Sequence, residues 1–187
     1  MRPNKREELV HKALGIFYQN GFHATGMDMI VREAGISKTS IYKHFRTKDD
    51  LILAVLRLRD ENFRNWLYRR IEETAQTPKQ QMIVLFDAVD EWFALPEFKG
   101  CMFIKASAEF QEPDNPIYVQ AAEHKRMLYE HFADVAQKAG ATKPKELSRD
   151  LMLLVEGAIV MAAMGVFSDA AGDAKRAAIS LIEAQLN

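Results

Sequence analysis

The chain has 187 residues, 48% of them hydrophobic, which is enough to bury the core of one large domain or of a small and a medium one. Its longest apolar run, residues 158–167, has about ten residues, whereas a membrane-spanning helix needs about 20, so no membrane partner is expected. The net charge is −1, but residues 1–48 carry nine Lys+Arg against four Asp+Glu, which argues against diffuse basicity and predicts a small basic module on a mildly acidic body.

Apolar residues recur at helical spacing along the whole chain, and no segment shows the alternation that is typical of a strand. The sequence therefore predicts an all-α fold of about nine helices. We expect residues 1–48 to form an N-terminal domain of three helices and residues 49–187 to form a second helical domain.

Local signals mark the limits of the first helices. Leu9, Ala13 and Phe17 form an apolar face that ends at QNG, residues 19–21, where glycine adopts a positive φ at little cost. Thr25 and Asp28 have the spacing of a capping box, which predicts a short second helix over about residues 27–34.

The third helix is predicted to begin after a turn at Gly35, with Ser37 as its cap, and to end near Phe45. Thr47 and Asp50 repeat the capping pattern at the start of the fourth helix. The remaining predicted limits are a long fourth helix from Lys48, a fifth from Pro78 to Pro96, a sixth that ends before Pro113, a seventh from Asn115-Pro116 to Gly140, an eighth over about 144–167 and a ninth over about 172–186.

The segment MDMIVREAGISKTSIYKHF, residues 27–45, predicts a helix-turn-helix, since a glycine turn lets two short helices cross steeply. The second helix of such a motif enters the major groove of DNA with its N-terminal residues toward the base edges. Lys38, Thr39, Ser40 and Lys43 are the outward candidates. The alternative is that the lysines of this helix are merely solvated.

Phosphate contacts are predicted beside these base contacts. Hydroxyl and imidazole donors at Tyr42 and His44 suit phosphate oxygens, which fix register without reading sequence. Lys48 is expected in the first turn of the fourth helix, where unpaired N–H groups and the positive end of the helix dipole favour a phosphate. The alternative for Tyr42 and Phe45 is a place in the core.

Residues 9–55 resemble the N-terminal domain of the TetR family of bacterial transcriptional regulators. The resemblance is carried by Ala-x-x-x-Phe at 13–17, Gly-Phe at 21–22, Thr25, Ile30, EAGISK at 33–38, IYKHF at 41–45 and KDDL at 48–51. Val31 and Thr39 depart from the family, where alanine and glycine are usual. The resemblance implies a homodimeric repressor that leaves a palindromic operator in double-stranded DNA when a small apolar or amphipathic ligand binds. The predicted DNA-binding residues are Thr25, Lys38, Thr39, Ser40, Tyr42, Lys43, His44 and Lys48.

The resemblance also implies that the last two helices pair with those of a second copy. Small residues in the predicted eighth helix support this, because they permit close helix approach. A monomer that buries this face within one chain is the alternative. The predicted interface residues are Leu154, Gly157, Ala158, Met161, Ala162 and Gly165.

The resemblance further implies that residues 1–48 are the DNA-binding domain and residues 49–187 the ligand-binding and dimerisation domain. The effector would then bind in the middle of the chain, where apolar residues are bulky and a few polar groups accompany them. Any of these residues could instead belong to the core. The predicted pocket residues are Phe63, Trp66, Leu67, Phe86, Trp92, Phe93, Met102, Phe103, Glu109, His124, Met127 and His131.

An enzyme is the rival class of function. His124 and His131 are seven residues apart, too far for a helical two-histidine metal site, and neither HExxH nor a phosphate-binding glycine loop occurs. No catalytic residue, metal or cofactor is therefore predicted. The alternative to a repressor is a ligand-responsive activator.

The single cysteine, Cys101, excludes an internal disulfide and, with the polar start MRPNKREELV, fits a cytoplasmic protein without a secretory signal. We expect a buried structural thiol, with redox sensing as the alternative.

Overall fold

A computed structural model describes residues 4–186, and every regular element among them is a helix. The all-α class and the nine helices are confirmed within this range. Residues 1–3 and residue 187 lie outside this range. Residues 1–3 belong to the predicted DNA-binding domain and to the polar start for which no secretory signal was predicted, and residue 187 belongs to the predicted second domain. The helices are α1 Lys5–Asn20, α2 Met27–Ala34, α3 Lys38–His44, α4 Lys48–Thr74, α5 Pro78–Phe93, α6 Met102–Glu109, α7 Pro116–Lys138, α8 Pro144–Ala163 and α9 Ala170–Leu186.

Most helix limits follow from the predicted local chemistry. The hydroxyl of Ser37 accepts a hydrogen bond from the Ser40 N–H at 3.3 Å and so caps α3. Thr47 and Asp50 exchange hydrogen bonds between side chains and backbone, 3.1 and 3.0 Å long, which confirms the capping box at α4. No helix in the described part of the chain has the length and apolar character needed to cross a bilayer.

The predicted limits of α2 are confirmed, but its predicted cap and the predicted end of α8 are wrong. Gly26, not Thr25, caps α2 and does so without a side-chain hydrogen bond, because the Thr25 hydroxyl donates to the Gly21 carbonyl at 2.6 Å. α8 stops at Ala163 rather than near residue 167, although the apolar run continues. Gly165 adopts a φ of +67° there, and the N–H groups of residues 165 and 166 turn back to the carbonyls of residues 162 and 161, as in a Schellman motif.

The chain divides into two compact units, which differ from the predicted domain division at 48/49; that division stays a prediction. The first unit comprises the described residues up to Phe63 and Met102–His124. Its core includes the rings of Phe17, Phe22 and Phe110, with Phe22 5.5 Å from Phe17 and 6.1 Å from Phe110 between ring centroids. The α1, α2 and α3 helices pack together within this unit.

The second unit comprises Arg64–Cys101 and the described residues from Lys125 onward. Helices α5, α8 and α9 pack against one another there. α9 contributes mostly alanines to this core, and their small side chains allow close approach of the helices. Two ion pairs lie on its surface, Arg70 with Glu91 across α4 and α5 and Lys175 with Asp87 across α9 and α5.

Candidate nucleic-acid interface

The helix-turn-helix in the first unit is built on a left-handed glycine. Gly35 adopts φ +64° and ψ 30°, a left-handed backbone conformation that residues with a Cβ rarely adopt. This conformation turns the chain from α2 into α3. Ile30, Ala34 and Ile41 are buried where the two helices pack together, whereas Ile36 is half-buried. This packing fixes which face of α3 is directed outward.

The outward face of α3 carries most of the predicted DNA-binding residues. Lys38, Thr39 and Lys43 are exposed, and the Tyr42 side chain is 45% exposed although it is large and aromatic. Ser40 and His44 are half-buried. Phe45 is buried, as the core alternative for that residue requires.

A groove brings four of these residues together with the start of α1, and we call it the α1–α3 groove. It is lined by Asn4, Lys5, Ser37, Thr39, Ser40, Lys43 and His44. Asn4 and Lys5 were missed by the sequence analysis. The local pattern gave no signal for them, because they are about 35 residues from α3 and only the packing of α1 brings them there.

Lys38 is engaged within the protein. Its Nζ donates a hydrogen bond to Oδ1 of Asp28 at 3.0 Å, and the two side chains are 55% and 88% exposed. The hydrogen bond to this carboxylate raises the pKa of Lys38 above its ordinary value, so the ammonium stays charged. A DNA phosphate that approaches Lys38 must therefore compete with Asp28.

Thr25 and Lys48 meet at the loop between α1 and α2, residues 21–26, which we call the α1–α2 loop. Thr25 is fully buried, and its only hydroxyl proton is donated to Gly21. The Lys48 ammonium donates to the carbonyls of Phe22 at 3.0 Å and Thr25 at 3.3 Å. Two of its three protons are thus used inside the chain, and a direct DNA contact at either residue stays a prediction.

One group of predicted effector residues surrounds a buried hydrogen-bonded pair in the first unit. His124 is 1% exposed, and its Nδ1 lies 2.7 Å from Oδ1 of the buried Asp60. The Phe103 ring stacks on the imidazole with 3.7 Å between centroids, and Phe63 meets it edge-on at 5.9 Å. Met102 is buried in the same unit. These contacts place a polar pair within an aromatic environment.

Glu109 belongs to the first unit but contacts other residues than His124 does. Its carboxylate accepts hydrogen bonds from the backbone N–H groups of Phe22 and His23 in the α1–α2 loop. Glu109 and the buried His124–Asp60 pair therefore contact different groups.

The other predicted pocket residues lie in the second unit. His131 stacks on Tyr68 with 3.9 Å between centroids, and Trp92 and Phe93 cluster with Phe98. Burial lowers the pKa of His131, and the positive charge of Lys138 acts in the same direction. Leu67 and Phe86 are buried, and Trp66 and Met127 are half-buried.

The predicted dimer residues, which lie on α8 except for Gly165 just after it, do not share one degree of exposure. Gly157 and Gly165 are exposed, Leu154, Met161 and Ala162 are half-buried, and Ala158 is buried within the unit. Leu153, which the sequence analysis did not select, is 72% exposed. Adjacent residues of an α-helix project about 100° apart, so an error of one position in the predicted face selects Leu154 where Leu153 is the exposed leucine.

Cys101 is buried in the second unit beside two charged groups. The Lys125 ammonium lies 3.3 Å from its sulfur and 2.7 Å from Oε1 of Glu156. Burial acts to lower the pKa of Lys125, but the interactions of its ammonium with Cys101 and Glu156 raise it above its ordinary value. Within residues 4–186, no three His, Cys, Asp or Glu side chains are arranged as ligands for a metal ion. The burial of Cys101 agrees with the predicted buried thiol, and redox sensing stays the untested alternative.

Comparisons with known proteins agree with this geometry. Residues 9–55 match the family described as bacterial regulatory proteins, tetR family. The chain is 37% identical over 123 residues to the HTH-type transcriptional activator FasR of Mycolicibacterium smegmatis, covering 65% of this chain and 54% of FasR. It is 35% identical over 88 residues to the HTH-type transcriptional repressor KstR2 of the same species, covering 46% of this chain and 41% of KstR2.

The fold as a whole is similar to a solved structure. That of SCO4454, a TetR-family transcriptional regulator from Streptomyces coelicolor, matches with a TM-score of 0.90 and 24% identity, over 97% of this chain and 96% of the other. The match extends far beyond the helix-turn-helix and supports the all-α fold of the helices that follow it.

Proposed function

We propose that this chain, which belongs to the TetR family of transcriptional regulators, is a repressor that binds a palindromic operator as a homodimer and is released by a small molecule. The proposal includes that it acts on DNA in the cytoplasm and is not an enzyme. The observation that carries it is the outward face of α3. Two exposed lysines, a threonine and a tyrosine 45% exposed are presented there on a helix fixed by a buried crossing.

The α1–α3 groove supports a DNA contact that extends beyond α3. Lys43 and Lys5 line it from two helices, and Thr39 and Ser40 add hydroxyl groups to the same lining. Lysines contribute affinity through phosphate charge, whereas hydroxyl groups can donate or accept at base edges. We therefore assign base reading to Thr39, Ser40 and Lys43 and phosphate binding to Lys5, Tyr42 and His44.

Exposed apolar side chains support a dimer. Of the eight large hydrophobic residues that are exposed in the described part of the chain, five lie on α8, on the segment after it or on α9. A second copy that covers them would remove this apolar surface from water. Two-fold symmetry then pairs two α3 helices with two half-sites about one DNA turn apart. The five residues are Leu153, Met164, Val166, Phe167 and Leu181.

Release by an effector requires that the effector bind more tightly to the conformation that fits DNA poorly. The buried His124–Asp60 pair is the best candidate for a polar anchor, because Phe63 and Phe103 supply an aromatic wall to the same imidazole. A ligand that hydrogen-bonds to His124 would exchange one buried partner for another. Its chemistry would then be apolar with one polar group.

A selection of bound sequences from random double-stranded DNA tests the proposal directly. We expect enrichment of an inverted repeat with half-site centres about 10 base pairs or a multiple apart. A footprint on the DNA that flanks the gene would then locate the site relative to the promoter. Transcription in vitro that falls on addition of the protein supports repression, and transcription that rises indicates activation, the mode named for FasR. Absence of any enriched inverted repeat would contradict the dimeric operator reading.

A further inference from the structure

Glu109 connects α6 to the α1–α2 loop. The Phe22 N–H donates to both carboxylate oxygens of Glu109, at 3.0 and 3.1 Å, and the His23 N–H donates to Oε2 at 2.5 Å. These N–H groups follow the C-terminus of α1, 86 and 87 residues away in sequence. Hydrogen bonds to an ionised acceptor are about twice as strong as those between neutral groups.

Two further contacts join the same elements. A ring nitrogen of His23 lies 2.7 Å from the Glu109 carbonyl oxygen, and the His23 ring packs 4.7 Å from that of Phe110. One helical turn earlier, the Lys105 ammonium donates to the Tyr18 carbonyl at 3.2 Å. Lys105 of α6 therefore binds a carbonyl near the end of α1, and Glu109 of α6 binds two N–H groups of the α1–α2 loop.

Gly21 makes the approach of the carboxylate possible. It adopts φ +81°, and a Cβ added at this position would lie 3.1 Å from Oε1 of Glu109. A larger residue would therefore be strained by its backbone conformation and would crowd the carboxylate.

The positively charged Lys48 side chain binds carbonyl groups of the same α1–α2 loop. Lys48 donates to the carbonyls of Phe22 and Thr25, so the peptide groups of the loop lie between an ammonium and a carboxylate. The loop leads directly into Gly26 and α2, and α2 packs on α3. A shift of the loop would consequently move the start of the helix-turn-helix.

We propose that Glu109 is a positioning residue for DNA binding, which acts through the α1–α2 loop by fixing where α2 and α3 stand. The inference rests on the proposed function, because it takes α3 to be the DNA-reading helix. Glu109 was predicted as a polar group of the effector pocket, and this assignment gives it a different role. Its carboxylate sets the geometry of the reading helix instead of contacting the effector.

The test compares Glu109→Gln and Glu109→Ala with Glu112→Gln, an exposed acid three residues later that undergoes the same loss of charge. Amide hydrogen exchange of Phe22 and His23, followed by NMR in the full-length protein, reports the loop itself. Loss of charge-assisted bonds should speed exchange at both amides by at least about tenfold in the alanine variant. Glutamine retains one acceptor oxygen and should give an intermediate value, and Glu112→Gln should match the wild type.

DNA affinity supplies the functional readout. Operator affinity should fall about tenfold in Glu109→Ala, whereas affinity for random-sequence DNA and its salt slope should stay unchanged because every lysine is retained. The glutamine variant tests the inference if the alanine variant fails to fold. Wild-type exchange rates in both variants, or faster exchange with unchanged operator affinity, would overturn the role of Glu109. A wild-type protein that selects no operator would instead overturn the proposed function.

Discussion

The ion pair between Asp28 and Lys38 is expected to restrain DNA binding, so its removal should strengthen binding. Asp28 holds the Lys38 ammonium at 3.0 Å, and at 88% exposure its own charge faces the solvent near the reading helix. In the substitution Asp28→Asn, the ammonium becomes available to a phosphate and the repulsion between carboxylate and phosphate disappears. Both effects act in the same direction.

The size of the effect follows from counterion release. Each neutralised phosphate contributes about 0.9 to the slope of log K against log salt, so one extra contact in each subunit steepens the slope by about 1.8. Between 50 and 200 mM salt, this corresponds to a factor of about 3.5 for one contact and about 12 for two. The gain in affinity of Asp28→Asn should thus be about 12 times larger at the lower salt concentration.

Fluorescence anisotropy of a labelled operator at four salt concentrations would measure these slopes. The variants form a double-mutant cycle of Asp28→Asn and Lys38→Ala, and Glu97→Gln, an exposed acid in the second unit, controls for net charge. Lys38→Ala should cost little in the wild-type background and about 1.8 slope units after Asp28→Asn. Equal effects of Lys38→Ala in both backgrounds would refute the competition between Asp28 and phosphate.

Three further predictions concern the rest of the chain. Leu153→Asp should leave a folded monomer with little operator affinity, as measured by sedimentation, whereas the same change at the exposed Leu95 should leave the dimer intact; a dimer in both would contradict the assigned surface. Asp60→Ala should lower the free energy of unfolding in urea by about 1–3 kcal/mol, because it removes the carboxylate that is hydrogen-bonded to the buried Nδ1 of His124, and a loss below about 0.5 kcal/mol would show that the pair is dispensable. Burial lowers the pKa of His131 below its ordinary 6.5, so stability should decline as the pH falls below about 6.5, where the unfolded chain takes up the proton first, and His131→Gln should flatten this decline.

Local chemistry made the helix-turn-helix predictable. Ser37 caps α3 by an interaction over three residues, and Gly35 reverses the chain by its own φ, so both signals are contained in a few adjacent letters. The helical class and most of the helix limits could be predicted from such local signals alone. The predicted cap at Thr25 failed, since its hydroxyl donates to the carbonyl of Gly21 and α2 has no side-chain cap.

Contacts distant in sequence could not be predicted in this way. His124 was selected as a polar group on an apolar face, but its partner Asp60 is 64 residues away and carries no motif. Glu109 was grouped with the histidines for the same reason, and only the packing of α6 on the end of α1 shows that it contacts the α1–α2 loop. Residues of similar character are therefore assigned to different environments by tertiary packing.

Lys48 links the predicted DNA contact to the inferred role of Glu109. Two of its three ammonium protons are donated to loop carbonyls, and the third proton is the one with which a phosphate could pair. A phosphate held there would stabilise the same loop that Glu109 holds from its N–H side. Thermodynamic linkage is reciprocal. If an ordered α1–α2 loop increases the affinity for DNA, bound DNA must stabilise the ordered loop by the same free energy. Operator DNA should accordingly slow exchange of the Phe22 and His23 amides, most visibly in Glu109→Ala, where the loop has lost its other support.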